Sequence, residues 1–191
     1  MKKIFLVMAL AVCSLCVNAQ NENYNRVFLG YAPTDFAISG GEARLQGFNL
    51  GWFYGFNVTE EQLPLYVETG VTANLGFGEL LSDCDKMLNF EVPVNVTYRY
   101  TIPNTNVRLS PYFGFHFKLN AVANNDDGDS YFDLKGTRRF QFGMQVGGRI
   151  EFNRFYVGAG WNKDFMPIAK SFGDFGDVKT SGLRVTVGYT F

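Results

Sequence analysis

The chain has one histidine, His116, and it is the first place to look for proton-transfer chemistry. Hydrolases and acyltransferases that use histidine need a nucleophilic hydroxyl on one side of the ring and a carboxylate on the other. Ser110 has the parity of His116 in an alternating stretch, but six extended residues separate the two by roughly 20 Å. Glu91, in the preceding stretch, could meet His116. No Gly-x-Ser-x-Gly elbow occurs in the sequence. His116 therefore reads as a polar interior residue, no catalytic residue is assigned, and the chain is expected not to be an enzyme. The run Asn124-Asn125-Asp126-Asp127-Gly128-Asp129 is rich in oxygen ligands. It lacks the spacing and the closing bidentate glutamate of a calcium loop. It reads as an acidic loop tip with at most weak affinity for divalent ions, and no metal site is assigned. The glycines form no phosphate cradle ahead of a helix. No cofactor and no nucleic-acid partner is expected.

The elements that hold these residues follow from composition and periodicity. Of 191 residues, 20 are Phe, 10 are Tyr and 21 are Gly. Glycine costs about 1 kcal/mol per helical position relative to alanine, so the mixture disfavours helices and suits strands. Period-2 alternation runs through seven stretches: Glu42–Val58, Leu65–Phe77, Leu88–Thr101, Val107–Ala121, Phe140–Phe152, Phe155–Phe165 and Leu183–Phe191. Arg26–Tyr31 adds a shorter first strand. Phe53 is the exception within its stretch. Most of these strands reach the roughly 9–11 residues that a tilted strand needs to cross a bilayer. The mean hydropathy of −0.05 does not argue against this, because alternating faces average out.

One face of each strand is apolar and the other is polar or glycine. The apolar faces are nearly free of charge; Arg44 and Lys163 share their parity at the expected outer ends. A soluble lipocalin-like barrel would turn the apolar face inward. Eight strands enclose just enough room for filling side chains, and the glycine-rich face fits inside better than one crowded with Phe, Tyr and Trp. Aromatics also gather near both strand ends, as in interfacial girdles. The expected fold is all-β, an eight-stranded antiparallel up-and-down transmembrane barrel. Its inward charges sort by height. Glu68, Arg99, Arg108, Arg149 and Glu151 fall at the periplasmic end, and Glu91, His116, Lys118 and Arg184 fall nearer the outside. Buried charges must be paired or hydrated, so the lower group is expected to be an ion-pair network that plugs the lumen. Separate solvated charges in a wet interior are the alternative.

Connections alternate in length. Short ones are expected at Thr59–Pro64, Ile102–Asn106 and Asn153–Arg154. Longer ones are expected at Ala32–Gly41, Gly78–Met87, Val122–Arg139 and Met166–Ser181. Short periplasmic turns and long outer loops are the outer-membrane pattern. Pro93 and Pro111 fall inside strands and should mark bulges or breaks. The N-terminus reads as a secretory signal, with Lys2 and Lys3 before the apolar run Ile4–Val12 and a cut after Ala19. A membrane-spanning helix would need a run of about 20 apolar residues. A lipoprotein signal fits poorly, because bulky residues precede Cys13 and Cys16. Residues 1–19 are thus expected to be signal and 20–191 the barrel domain. That domain has 15 basic and 18 acidic residues, a net charge of −3. It keeps one cysteine, Cys84, expected to be an unpaired loop residue.

The signal, the eight amphipathic strands, the loop asymmetry and the ending Arg184-Val185-Thr186-Val187-Gly188-Tyr189-Thr190-Phe191 together resemble the small outer-membrane barrel family typified by the OmpA membrane domain and OmpX. The ending also resembles that of porin-like outer-membrane β-barrel domain proteins. The resemblance covers essentially all of residues 20–191. It implies a location in the outer membrane and contact with outer-membrane lipid. It also implies that Leu183, Val185, Val187, Tyr189 and Phe191 form the insertion signal that the outer-membrane assembly machinery reads. No peptidoglycan-binding domain of the OmpA kind is expected after the barrel. The expected function is that of a non-enzymatic outer-membrane protein with surface loops, structural, adhesive or membrane-stabilising, the loops meeting an extracellular ligand that the sequence does not identify. The alternatives are a narrow porin-like channel for small solutes, a lipid-modifying enzyme using His116, or the soluble lipocalin-like barrel.

Overall fold

The computed structural model describes residues 23–38, 41–59, 63–79, 84–124, 130, 132, 137–170 and 177–191. They form ten strand segments: β1 (Tyr24–Tyr31), β2 (Thr34–Ile38), β3 (Gly41–Asn57), β4 (Leu65–Glu79), β5 (Cys84–Tyr98), β6 (Tyr100–Thr101), β7 (Val107–Asn124), β8 (Phe140–Phe152), β9 (Phe155–Asp164) and β10 (Lys179–Thr190). Two breaks are interruptions rather than turns. β1 and β2 flank Ala32-Pro33 and share the neighbours β3 and β10. β5 and β6 flank Arg99 and share β7. The segments therefore make eight antiparallel staves. β10 pairs with β9 on one side and β1 on the other, so the sheet closes and leaves no edge.

The barrel is inside out relative to a soluble protein. Leu50, Ile150, Leu183 and Phe155 are 60–68% exposed, whereas Arg26, Glu68, Glu91 and His116 are fully buried. This inversion is what a hydrocarbon solvent selects: apolar side chains meet lipid, and polar groups bond within the lumen. Phe53, the exception to its alternation, points inward and packs edge-on against Phe28 at 4.9 Å.

Inward aromatics need room, and glycine supplies it. Tyr24 lies across from Gly55, Phe28 from Gly51, Phe53 from Gly70, Tyr112 from Gly147 and Tyr156 from Gly188. Each ring covers the glycine opposite, a cross-strand device that protects the ladder where a strand has no side chain. A Cβ on Gly55 would sit 2.2 Å from Cζ of Tyr24, whereas one on Gly148 meets nothing closer than 4.0 Å. Gly55→Val is therefore expected to cut sharply the fraction of refolded protein that migrates as the folded form on an unheated gel. Gly148→Ala should leave that fraction unchanged.

Both strand prolines sit at local breaks. Around Pro93 the β4–β5 register passes from Thr69↔Val94 to Thr72↔Glu91 without pairs between. The Pro93 carbonyl instead accepts the Thr69 hydroxyl at 2.9 Å. Pro111 lies where β5 and β6 part at Arg99. A further irregularity falls elsewhere, at Ala121, which is skipped between Leu88↔Val122 and Asn89↔Asn120. The Asn153-Arg154 turn joins β8 and β9 with Phe152 facing Phe155. Asn153 takes the left-handed φ of 56° that asparagine tolerates better than most residues.

The outer end departs from expectation. The predicted loop Ala32–Gly41 is mostly strand β2, and its pairing with β3 continues to Ile38↔Gly41. β4 and β5 pair as far as Glu79↔Cys84, so Cys84 opens a strand instead of lying in a loop. β7 extends to Asn124, and β10 begins at Lys179. The staves thus run past the apolar belt. Their inward residues there are apolar: Phe36, Leu45, Met87 and Ala123 join Ala169 and Val178 in one buried cluster. Burying this surface fixes the extension, at roughly 25 cal/mol per Å² removed from water. The signal segment 1–19 and residues 125–129 of the acidic run lie outside the described residues.

Candidate functional site

The lumen is the one place, among the described residues, where polar chemistry concentrates, and it is organised in layers. The lowest centres on two carboxylates. Arg26 bridges them, with Nη1 2.8 Å from Oε1 of Glu68 and Nη2 2.5 Å from Oε1 of Glu151. Arg149 donates to the other oxygen of Glu68 at 2.8 Å, and Arg99 to the other oxygen of Glu151 at 3.0 Å. Arg108, partly exposed, approaches Glu151 at 3.7 Å. Hydroxyls complete the shells. Tyr24 and Thr97 donate to Glu68, and Ser110 donates to Glu151. Guanidiniums also stack on rings, Arg99 over Tyr24 at 3.7 Å and Arg149 over Tyr112 at 4.2 Å. Strands β1, β4, β7 and β8 with the Arg99 junction are tied across the barrel by these bonds.

In the middle layer Arg184 grips Glu91 with both terminal nitrogens, at 2.9 and 3.2 Å. Gln145 donates to Asn95 at 2.7 Å. Above them Asp164 takes Nε2 of His116 and Nζ of Lys118, each at 2.6 Å, and the Thr180 hydroxyl. Thr180 accepts from Gln141, whose own oxygen accepts from Asn120 at 2.8 Å. Asn74 and Asn89 pair at 2.7 Å. The apolar cluster of Phe36 and Leu45 caps the stack.

The predicted interior residues Glu68, Arg99, Arg108, Arg149 and Glu151 come together in the lower layer. Glu91, Arg184 and His116 stand higher and do not join it. Two members escaped the sequence reading. Arg26 lies in the short first strand, whose few residues leave its inward face open; its parity with Phe28, opposite to Val27 and Leu29, is the signal the sequence carries. Asp164 shares the parity of Tyr156 and Asn162. The expected partners of His116 also differ. Its carboxylate is Asp164, not Glu91, because Glu91 is engaged by Arg184. Ser110 is held by Glu151 in the lowest layer. Nδ1 of His116 is buried without a partner. Among the described residues no hydroxyl is therefore set against that ring for attack.

The C-terminal strand places Leu183, Val185, Val187 and Phe191 outward, each roughly half exposed or more. Tyr189 packs edge-on against Phe155 and at a tilt against Phe191, and its hydroxyl accepts from Arg154 at 3.2 Å. This aromatic cluster sits where the last strand meets the Asn153-Arg154 turn.

The sequence matches the family described as outer membrane protein beta-barrel domain over residues 5–191. A comparison with curated proteins finds no match. Among solved structures the chain is similar to Neisserial surface protein A, at 19% identity over 88% of this chain and 97% of that one, with a TM-score of 0.51. It is also similar to a major outer membrane protein of Thermus thermophilus, at 14% identity over 86% and 99%, TM-score 0.50. The outer membrane enzyme PagL is similar at 9% identity over 83% and 97%, TM-score 0.50. At these identities the likeness is one of fold.

Proposed function

This chain belongs to the outer membrane protein β-barrel domain family, and from that premise we propose that it is a non-enzymatic, closed barrel that displays its extended outer end at the cell surface. It is an outer-membrane protein, and outer-membrane lipid is its solvent. The single observation that carries the proposal is the filled lumen. Ion-paired charge occupies the bottom, the Glu91–Arg184 pair and the Gln145–Asn95 bond the middle, the Asp164 network the layer above, and buried apolar side chains the mouth. A barrel of this size has little interior to spare, and here the side chains use it. A structural or adhesive role follows for the surface, since the staves rise beyond the belt and are braced there by Phe36, Leu45 and Met87. In this reading residues 1–19 direct export, and the outward residues of β10 with Phe191 present the insertion signal to the assembly machinery.

Planar-bilayer recordings test the closed lumen. Refolded protein is expected to insert without discrete open steps at moderate voltage. Reproducible steps that persist after repurification would favour the channel reading. The fold likeness to PagL brings the enzymatic alternative forward, but it does not transfer a mechanism. Ser110 and His116 occupy different layers, which supports the non-enzymatic reading. Release of fatty acid from purified lipopolysaccharide, lost in His116→Ala, would reverse it.

A further inference from the structure

We propose that the centre of the lumen is a binding site for one small monovalent inorganic anion of the halide class. Two independent observations point to it. The first is local. A cavity of about 20 Å³ lies between the lower network and the Glu91–Arg184 pair, lined by Asn95, Tyr112, Gln145, Arg149, Arg184 and aromatic rings. No carboxylate lines it. Two of its lining residues carry buried atoms without a hydrogen-bond partner, Nδ2 of Asn95 and Nε of Arg184, and both atoms are donors. Gln145 holds Oδ1 of Asn95, which leaves that amide nitrogen free to donate. The volume suits a water-sized body and is too small for a tetrahedral oxyanion.

The second observation is global. Among the described residues the buried cations of the lumen are Arg26, Arg99, Arg149, Lys118 and Arg184, each with a side chain at most 11% exposed. The carboxylates that face them are Glu68, Glu91, Glu151 and Asp164. His116, bonded to Asp164, stands outside this count. Five positive charges thus meet four negative ones. An uncompensated charge in a buried site is costly, and aromatic faces offset it only in part. A water in the cavity would satisfy the orphan donors and leave the charge. A halide does both at once. The inference rests on the filled lumen. Open conductance steps would sink that premise, whereas the measurements below test the ion alone.

The test uses the full barrel domain refolded in detergent in sodium chloride, sodium bromide or sodium gluconate at equal ionic strength, with urea unfolding followed by tryptophan fluorescence. The midpoint is expected to be higher in either halide than in gluconate, and to saturate with halide concentration, as for any ligand of the folded state. Asn95→Asp supplies the missing negative charge from the same position. It should keep the folded gel mobility and abolish the halide dependence. Crystals grown in bromide should show an anomalous peak within hydrogen-bond reach of Asn95 Nδ2 and Arg184 Nε. Neither the wild-type salt comparison nor the crystal depends on the variant folding. Equal midpoints in the three salts overturn the proposal, as does cavity density without anomalous signal, which identifies a water.

Discussion

Glu68→Gln is expected to lower the stability of the refolded barrel by about 3–5 kcal/mol, the cost of removing one partner from a buried charge network. Glu68 is fully buried and its two oxygens receive Arg26, Arg149, Thr97 and Tyr24. Glutamine keeps the volume, loses the charge and turns a donor toward guanidiniums that are themselves donors. Arg26 and Arg149 cannot escape to water, because each is enclosed by the barrel wall and by rings. The loss should show as a lower urea midpoint in lipid vesicles at an unchanged slope. A double variant, Arg26→Met with Glu68→Met, removes both charges of one pair and should recover part of the loss. If Glu68→Gln costs less than about 1 kcal/mol, water reaches the layer and the lumen is not sealed at its base.

Leu50→Arg is expected to cost about 2–4 kcal/mol when the barrel is refolded in vesicles. Leu50 sits mid-strand on β3, faces lipid between Leu29 and Ala73 in register, and is 64% exposed. A guanidinium there must either lose its hydration or drag water and headgroups into the hydrocarbon. Arg44, on the same face of β3 but nearer the outer end, carries no such penalty, because it pairs with Asp35 at 2.5 Å in the exposed rim. The pair Leu50→Arg and Leu45→Arg separates the two solvents of one strand. Leu45 faces the apolar cap, so its substitution should destabilise equally in short-chain detergent and in vesicles. Leu50→Arg should be milder in detergent. Equal effects of Leu50→Arg in both would mean that this face does not meet hydrocarbon.

Much of the barrel was legible in the sequence because a lipid-facing strand leaves a two-residue signature that no helix or loop imitates. Phe140–Phe152 is matched by β8 to the residue, and the Phe152–Phe155 pairing fixed the turn between β8 and β9. Boundaries failed where the solvent changes. Past the apolar belt the outward residues Arg44, Gln46 and Lys86 are polar and the inward ones turn apolar, so the alternation inverts its meaning and the segments read as loops. Phe36 on β2 and Met87 on β5 are strand residues that only their packing partners reveal.

The sequence by itself determined the class, the number of staves, the face that meets lipid and the height of most interior charges. These depend on the parity of neighbours along one strand. Tertiary structure decided the partners. Arg26 reaches Glu68 and Glu151 across 42 and 125 residues, His116 takes Asp164 across 48, and Arg184 takes Glu91 across 93. Which side chains meet in the lumen depends on the stagger between staves and on closure of β10 against β1. Local alternation carries no record of either quantity.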